Sequence, residues 1–586
     1  MSVTYLSTVT MSDHLLVAAI DFGTTYSGYA FSTIANFKLD PLKIHANQAW
    51  NAGGRQLLSL KTPTCLLLNE KKELVSFGFE AENDYAELVL DEKHHDHYYF
   101  TRFKMRLYQA KDLSEEMRLE DVTGKSLMAI DVFGQSIKAL KDHLLKLLDT
   151  EGTGVKPHEI KWVLTVPAIW PDSAKQFMRK GAEKAGIDDK KLFIALEPEA
   201  ASIHCQYLPT EKLKGAAEGF SMTETGQKYM VIDLGGGTAD ITVHEKLDGG
   251  HLKELCHASG GDCGGTSVDN AFIQMMVKIL GAPLINLLKQ EDPSAYLDLL
   301  REFETVKRKI ESTTSGKVNF TIPCATINTL CEKHQNESLS SMIEASPFAN
   351  QITLRGDKLR VDADVMKNLF QKTINSIINL VKDILRKPTA HDVPLLLLVG
   401  GFAECPLIQA AMKKEFSNKR IIIPEESGLS VMKGAVLFGH KPDYIASRVM
   451  RFSYGTDLSQ PFNHELHTLS RKKSVNGEER CVNVFGMIIE KDKSVPVGHK
   501  VRQGYITMRP NQDHMPIKIY ASHKKDPTYV DEEGCHLIGK AGIDIPCPSE
   551  EERSVEVEYI FGNTEISMTA KEKLTGFTCE ATFKLI

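Results

Sequence analysis

The stretch Leu15-Leu16-Val17-Ala18-Ala19-Ile20-Asp21-Phe22-Gly23-Thr24-Thr25 indicates the fold of the whole chain. Its six apolar residues run straight into a turn, and such a run is typical of a strand buried on both faces of an α/β sheet. In the turn, glycine lets backbone N–H groups approach phosphate oxygens, and the threonines add hydroxyl donors. Asp21 could hold a divalent cation through its water shell. Taken alone, however, these residues would also fit an ordinary strand and β-turn.

A second copy of this pattern makes a functional interpretation stronger. Tyr229-Met230-Val231-Ile232 leads into Asp233-Leu234-Gly235-Gly236-Gly237-Thr238-Ala239-Asp240, and Leu395-Leu396-Leu397-Leu398-Val399 leads into Gly400-Gly401-Phe402. The first two turns share Ile-Asp-apolar-Gly. They predict two similar halves, each of which donates one aspartate-containing turn to a shared phosphate-binding cleft.

The remaining sequence predicts an α/β region followed by an all-β region. Helical apolar spacing occurs at residues 172–186, 297–311 and 363–385, between the apolar strands. After Gly439 the chain shows short alternating runs, such as residues 515–520 and 555–560, which predict strands.

Composition excludes several classes of protein. The chain has 586 residues, of which 42% are hydrophobic and 25% charged, as in globular proteins. A net charge of -7 argues against a nucleic-acid partner. No apolar run approaches the about 18 residues that span a bilayer, so we expect no membrane span. No secretory signal is evident, and the 11 cysteines form no CxxC pair. We therefore expect a cytoplasmic location, with the nucleus as an alternative.

Other phosphate-binding motifs are missing from the sequence, since neither the Walker pattern nor an opening G-x-G-x-x-G occurs. The two aspartate turns instead resemble those of the actin-like ATPases. Within that group, the chain resembles the 70-kDa heat-shock protein family. The resemblance extends to residues 164–168, 196–201, 259–265, 304–308 and 399–401. Residues 69–78 and 103–107 are closest to the divergent 12A/12B subgroup.

The resemblance implies a division of the chain into domains. After an N-terminal tail at residues 1–14, residues 15–440 would form a two-lobed, actin-like nucleotide-binding domain. Lobe I would cover about 15–212, lobe II about 228–423, and about 424–440 would return to lobe I. Residues 441–586 would form a β-sandwich substrate-binding-like domain with no C-terminal helical lid. Lys441-Pro442-Asp443-Tyr444-Ile445 stands where the family has an acidic, leucine-rich linker, so we expect weak coupling between the domains.

The resemblance also implies roles for individual residues. Asp21 and Asp233 would face each other across the cleft and order the waters of Mg²⁺ and the attacking water. The catalytic set would be Asp21, Lys104, Glu197 and Asp233, and the metal set Asp21, Asp233 and Asp240. The nucleotide would contact Gly23, Thr24, Thr25, Tyr26, Gly235, Gly236, Gly237, Thr238, Glu304, Lys307, Arg308, Gly400, Gly401 and Phe402. Without the family match, Lys104, Glu197, Lys307 and Arg308 would be interpreted as solvated charges.

The base end of the cleft departs from the family. Phe402-Ala403-Glu404 replaces the family's Ser-x-Arg, whose arginine packs on adenine, and Glu311 replaces a serine that contacts the base. The residues at the phosphate end match the family pattern, whereas those at the base end differ from it. The choice of nucleobase and the rate of hydrolysis therefore stay open. Among other charged groups, we expect Arg448 and Arg451 to be solvated surface residues.

These observations predict an atypical chaperone-like ATPase that binds ATP or ADP with Mg²⁺, and also K⁺. Slow hydrolysis would control the binding of protein or peptide clients by the β-domain, with co-chaperones or nucleotide-exchange factors as further partners. The alternative is a nucleotide-gated adaptor or scaffold with little or no hydrolysis. A small-molecule kinase, which would share the two-lobed fold, is disfavoured by the C-terminal region.

Overall fold

Two mixed sheets with the same pairing pattern form the framework of the N-terminal region. The computed structural model describes residues 14–47, 50, 59–110, 113–114, 116–218, 220–475 and 477–581. The first sheet contains, in spatial order, Leu192–Leu196, Ile160–Val166, Leu16–Asp21, Tyr26–Thr33 and His45–Ala46, with Thr62–Pro63 paired to Tyr26–Thr33. The second contains Leu213–Lys214, Arg420–Pro424, Leu395–Val399, Lys228–Leu234, Ala239–Lys246, Leu252–Gly261, Ile445–Val449 and Ser494–Pro496.

The two aspartate turns follow equivalent strands of these sheets. Leu16–Asp21 pairs in parallel with Ile160–Val166 and antiparallel with Tyr26–Thr33. Lys228–Leu234 likewise has a parallel neighbour, Leu395–Val399, and an antiparallel one, Ala239–Lys246. The mixed α/β class predicted for this region is confirmed.

Helices cover both sheets and connect their strands. Their bounds are Ile34–Leu39, Phe79–Leu90, Met105–Gln109, Ala129–Thr150, Asp172–Lys184, Glu197–Tyr207, Gly265–Leu280, Ala282–Glu291, Pro293–Lys307, Cys324–Gln335, Leu339–Ala345, Ala363–Leu385, Pro406–Glu415 and Ser430–His440. Smaller sheets are formed by Leu74–Phe77, Cys65–Leu68 and Tyr98–Thr101, by Arg118–Glu120 and Ser126–Met128, and by Lys317–Thr321, Lys358–Asp362 and Ile352–Arg355. No single helix in these described ranges is long and apolar enough to cross a membrane.

One predicted helix begins earlier than its apolar spacing suggested. The helix expected at residues 297–311 is Pro293–Lys307. Its start is set by Asp292, whose side chain accepts a hydrogen bond from the Ala295 N–H at 2.9 Å, and by proline in the first turn. These are the usual signals of a helix N-terminus. They lie N-terminal to the apolar pattern on which the prediction was based.

A shared apolar layer joins the two sheets. Val17 and Val163 of the first sheet belong to the same buried cluster as Val231 and Leu397 of the second. The helix Ser430–His440 completes this layer, and it packs very closely: a Cβ at Gly434 would collide with the backbone carbonyl of Ala200. A Cβ at Gly439 would collide with Val17 Cγ1, so the last helix before the β-rich region also lies against the first sheet.

The C-terminal region contains two antiparallel sheets around their own core. One contains Lys472–Val475, Glu478–Ile489, Ser453–Pro461, His514–Ser522 and Cys535–Asp544, and the other His499–Ile506, Ser554–Phe561, Ser567–Glu572 and Thr578–Ala581. Alternate residues such as Val555, Val557 and Tyr559 are buried between the sheets. This is the alternation that the sequence predicted for the region.

Candidate functional site

A cavity of about 460 Å³ lies between the two aspartate turns. Its volume is in the range of small-molecule sites. The predicted site residues that line it are Asp21, Gly23, Thr24, Thr25, Tyr26, Lys104, Glu197, Asp233, Gly235, Gly236, Gly237, Thr238, Glu304, Lys307, Arg308, Gly400, Gly401 and Phe402. Asp240 is the one predicted site residue that is not part of the lining. The lining also includes residues that sequence reasoning missed, namely Ser59, Leu60, Lys61, Gly265, Cys405, Gly428, Leu429 and Val431.

The two turns meet through their glycines. A Cβ at Gly237 would lie 2.6 Å from Thr24 Oγ1, and one at Gly236 would collide with Thr25. The triple-glycine turn is also fixed from behind, because the Gly235 carbonyl accepts from the Gly265 N–H at 3.1 Å and the Gly236 carbonyl from the Thr266 N–H at 2.7 Å. The triple-glycine turn therefore presents backbone to the cavity, and successive backbone N–H groups can bind a phosphate.

The Asp21 carboxylate is held by two donors. Its Oδ1 accepts from Thr165 Oγ1 at 2.8 Å, and its Oδ2 accepts from Lys61 Nζ at 2.6 Å. Burial by itself would raise the pKa of Asp21. The charges of Lys61 and Lys104 and the two hydrogen bonds outweigh burial, so the pKa lies below its ordinary value.

Asp233 has the opposite environment. It is buried, and no residue in the described ranges donates a hydrogen bond to its carboxylate. Burial, followed by the negative charges of Glu197, Asp240 and Asp21, raises the pKa of Asp233 well above its ordinary value. Gly400, whose φ is 88°, turns the chain so closely past this side chain that a Cβ there would collide with Asp233 Oδ1. A cation would relieve the accumulated negative charge at this position.

Lys104 and Glu197 form a buried ion pair, so they are not the solvated charges that the alternative interpretation expected. Lys104 Nζ lies 2.7 Å from Glu197 Oε1 and 5.1 Å from the ring centroid of Trp170, and Lys104 is 2% exposed. Burial raises the pKa of Glu197 to about 7 against the opposing charge of Lys104. Asp21 and Asp240 add to the rise.

Asp240 supports the second turn from behind. Its Oδ1 accepts from the Ile169 N–H at 2.9 Å, and its Oδ2 accepts from Thr238 Oγ1 at 3.1 Å. Burial raises its pKa to about 6, although both hydrogen bonds act against the rise. Both oxygens thus have protein partners, and the structure does not bring this carboxylate to the cavity wall.

The carboxylates fit Mg²⁺ only through its water shell. Across the described part of the chain, no three His, Cys, Asp or Glu side chains are placed to bind a metal ion directly. Mg²⁺ usually keeps several waters and is held by one or two carboxylates together with substrate phosphates. Among the three predicted metal residues, Asp233 is the one whose oxygens accept no hydrogen bond from a described residue, so the fit rests mainly on Asp233.

A network of charges surrounds the other end of the cavity. Lys307 Nζ lies 2.6 Å from Asp269 Oδ1 and 2.5 Å from Glu304 Oε2, and the residue is 6% exposed. The solvated-charge alternative is therefore wrong for Lys307. Arg308 is more exposed; it lies 2.7 Å from Glu304 and 5.2 Å from the Tyr26 ring centroid. Burial by itself would raise the pKa of Glu304, but the charges of Lys307 and Arg308 outweigh burial and lower the pKa to about 2.

The substituted positions of the base end have partners of their own. Glu404 lines the cavity, and its Oε1 accepts from the Gly428 N–H at 3.0 Å. Phe402 is buried, and its ring lies 3.5 Å from the place where a Cβ of Gly265 would be. Glu311 does not line the cavity; it accepts from Thr313 Oγ1 at 3.1 Å. Sequence reasoning had no means of identifying Gly428 as the partner of Glu404.

The β-rich region contacts the cavity region through buried groups. Arg448 is 7% exposed, and its Nε and Nη2 lie 2.7 and 2.6 Å from the two carboxylate oxygens of Glu199. It also donates to the Gly562 carbonyl, and Arg451 donates to the Ile169 carbonyl. The expectation that Arg448 is a solvated surface residue was wrong, because its partners lie on elements distant in sequence.

Comparisons with known proteins agree with the sequence pattern. A family model described as Hsp70 protein matches residues 93–584. The chain is similar to heat shock 70 kDa protein 12A of Mus musculus, with 34% identity across 96% of this chain and 90% of the relative. For the Homo sapiens protein of that name the identity is 34%, across 95% of this chain and 89% of the relative. Heat shock 70 kDa protein 12B of Homo sapiens is 32% identical, across 97% of this chain and 91% of the relative.

Proposed function

The chain belongs to the 70-kDa heat-shock protein family, and from this membership and the cavity geometry we propose that it is an atypical, chaperone-like ATPase. It binds ATP or ADP with Mg²⁺ between the two aspartate turns and hydrolyses ATP slowly. The nucleotide state then controls protein or peptide binding by the β-rich region. The observation that carries this proposal is the convergence of two turns, on equivalently paired strands, at one cavity.

The side chains of the cavity suit phosphoryl transfer, which asks a protein mainly for positioning and charge neutralisation. The backbone of Gly23 and Gly235–Gly237 and the hydroxyls of Thr24, Thr25 and Thr238 would bind the phosphates. Lys104, held by Glu197, would stabilise the charge that develops on the γ-phosphate. Asp233 would hold the waters of Mg²⁺, and K⁺ would be a further cation. The bound cation supplies charge neutralisation.

One observation favours the alternative of a nucleotide-gated adaptor with little hydrolysis. Both lysines at the phosphate end are already paired, Lys61 with Asp21 at 2.6 Å and Lys104 with Glu197 at 2.7 Å. The charge of a lysine paired with a carboxylate is partly neutralised, so it stabilises the charge that develops on the phosphate less.

The remaining parts of the proposal follow the family. Residues 15–440 would act as two lobes closing on the nucleotide, with lobe I at about 15–212 and 424–440 and lobe II at about 228–423. Residues 441–586 would bind clients, and co-chaperones or nucleotide-exchange factors would be further partners in the cytoplasm. The contacts of Arg448 and Arg451 supply a direct physical connection between the client region and the cavity region.

Calorimetric titration with ATP and ADP in the presence of Mg²⁺ tests the binding step. We expect saturable binding and a ligand-dependent rise in stability of about 2.7 kcal/mol at a hundredfold excess over Kd. Phosphate release then separates the two candidates: slow release that Lys104→Met suppresses supports the ATPase, and tight binding without release supports the adaptor. Lys138→Met, at a lysine with 47% side-chain exposure, is the matched control. An absence of any nucleotide binding would reject both.

A further inference from the structure

Lys61 is a partly buried cation of the cavity that the sequence did not identify. Its Nζ lies 2.6 Å from Asp21 Oδ2, and its side chain is 18% exposed. We propose that Lys61 acts as a built-in counter-cation at the phosphate turns, so that nucleotide binding depends on this lysine more than on a divalent metal ion. The inference rests on the proposed function, since it concerns how the same cavity holds a polyphosphate.

The position of Lys61 is fixed by the backbone around it. Asp21 stands opposite Gly28 in the antiparallel pair, and Lys61 packs on that glycine. A Cβ at Gly28 would lie 3.0 Å from Lys61 Cγ and 3.1 Å from the Leu60 carbonyl, so glycine provides the space for the lysine stem. The next residue, Thr62, is paired with Ser27. Lys61 therefore reaches Asp21 from the position just before the short paired strand Thr62–Pro63.

The segment after Lys61 also holds the first phosphate turn. The Thr64 N–H donates to the Thr25 carbonyl at 2.8 Å, and Thr64 Oγ1 donates to the Gly23 carbonyl at 2.8 Å. The Gly23 N–H in turn donates to Ser27 Oγ at 3.1 Å. The turn and the lysine are thus parts of one hydrogen-bonded unit, and a ligand bound by the turn lies beside the ammonium group.

The charges at this position leave Lys61 with capacity for a ligand. An ammonium group has three donors, and Asp21 is the one side chain among the described residues that accepts from Lys61 Nζ. Lys61 is part of the cavity lining. Asp21 already accepts from Lys61 and Thr165, one bond at each oxygen, so about half of its acceptor sites remain for the water shell of a metal ion. Lysine is an effective point-charge ligand for phosphate.

This arrangement separates binding from metal dependence. If a diffusible metal ion neutralises the phosphates, its removal leaves the phosphates beside the negative carboxylates of the cleft, and the affinity for the nucleotide falls. Where Lys61 supplies the counter-charge, binding survives and the metal ion is needed mainly for hydrolysis. In a Lys61→Met variant, Asp21 becomes an unpaired carboxylate beside the phosphates, and a metal ion becomes necessary to offset its charge.

The test measures the affinity of a fluorescent ribose-labelled ATP by anisotropy, in excess Mg²⁺ and again in excess chelator. We expect chelation to weaken binding by the parent protein by less than about tenfold, and Lys61→Met to weaken binding about ten- to a hundredfold. Chelation should then weaken binding by that variant a further tenfold or so. Lys61→Arg should keep the metal tolerance of the parent. Lys93→Met, at a lysine with 68% side-chain exposure, is the matched control and should behave as the parent.

The outcomes distinguish this inference from the proposed function. Two results would overturn the role of Lys61. One is a loss of about a hundredfold or more in the affinity of the parent protein on chelation, and the other is a Lys61→Met variant that binds as tightly as the parent in chelator. Either result would leave the proposed nucleotide binding standing. Absence of binding in every condition rejects the proposed function itself. If Lys61→Met fails to fold in a thermal melt, the chelation result for the parent and for Lys61→Arg decides.

Discussion

Arg448→Met should loosen the contact between the β-rich region and the cavity region, while Ile445–Val449 stays paired with Leu252–Gly261. The substitution keeps most of the side-chain stem but removes a guanidinium that makes two charge-assisted hydrogen bonds to Glu199, at 2.7 and 2.6 Å, and one to the Gly562 carbonyl. The Glu199 carboxylate, with 3% side-chain exposure, would be left buried without its cation. Removing one partner of a buried pair costs about 3–5 kcal/mol.

That cost can be measured locally by hydrogen exchange. The Val449 N–H, which donates to Glu254 at 2.8 Å, reports on opening of this contact. Its protection should fall by a factor on the order of hundreds to thousands, since every 1.4 kcal/mol is about tenfold. Arg502→Met, at an exposed surface pair with Glu558, should cost less than about 1 kcal/mol and serves as the control.

A double-mutant cycle completes this test. Glu199→Gln removes the buried charge that Arg448→Met leaves behind, so the double variant should be less destabilised than the sum of the two single changes. Unchanged protection at Val449 in Arg448→Met would refute the reasoning, and so would additive effects, because both results would mean that the pair does not hold the two regions together.

The remaining predictions concern the cavity and its pH dependence. Asp233→Asn should slow phosphate release by about a hundredfold while changing ATP affinity only a few-fold, and it should not lower thermal stability, because it removes a buried carboxylate whose pKa is raised. Gly236→Ala should abolish nucleotide binding in a titration, because its Cβ would collide with Thr25, whereas Gly504→Ala, whose Cβ would meet open space, should bind as the parent does. Burial raises the pKa of Glu254 from 4.5 to about 8, so the folded state holds a proton that the unfolded state has lost. Stability should therefore fall as pH rises between these values, by up to about 1.4 kcal/mol per unit, and melting of Glu254→Gln across this range should show a shallower slope.

Sequence alone predicted the features that depend on local pattern. Apolar runs ending at Asp21 and Asp233 predicted buried strands, since a strand covered on both faces needs apolar residues at every position. The glycine-containing turns after these aspartates were predicted to share one cleft, and Gly236 and Gly237 do lie against Thr25 and Thr24. Helix Ala363–Leu385 was predicted at its observed bounds, because a long apolar periodicity is a strong signal.

Only the tertiary structure determined which charges meet. Lys61 with Asp21, Arg448 with Glu199, and Lys307 with Asp269 are pairs of residues far apart in the sequence. A charged residue has the same appearance in a sequence whether it is solvated or buried with a partner, because ion pairing leaves no periodic pattern. For the same reason Arg448 was assigned to the surface, and the use of both Asp240 oxygens by Ile169 and Thr238 was not foreseen. The packing of the two sheets against each other decides which of the carboxylates in the cleft are neutralised by the protein and which is left for a cation.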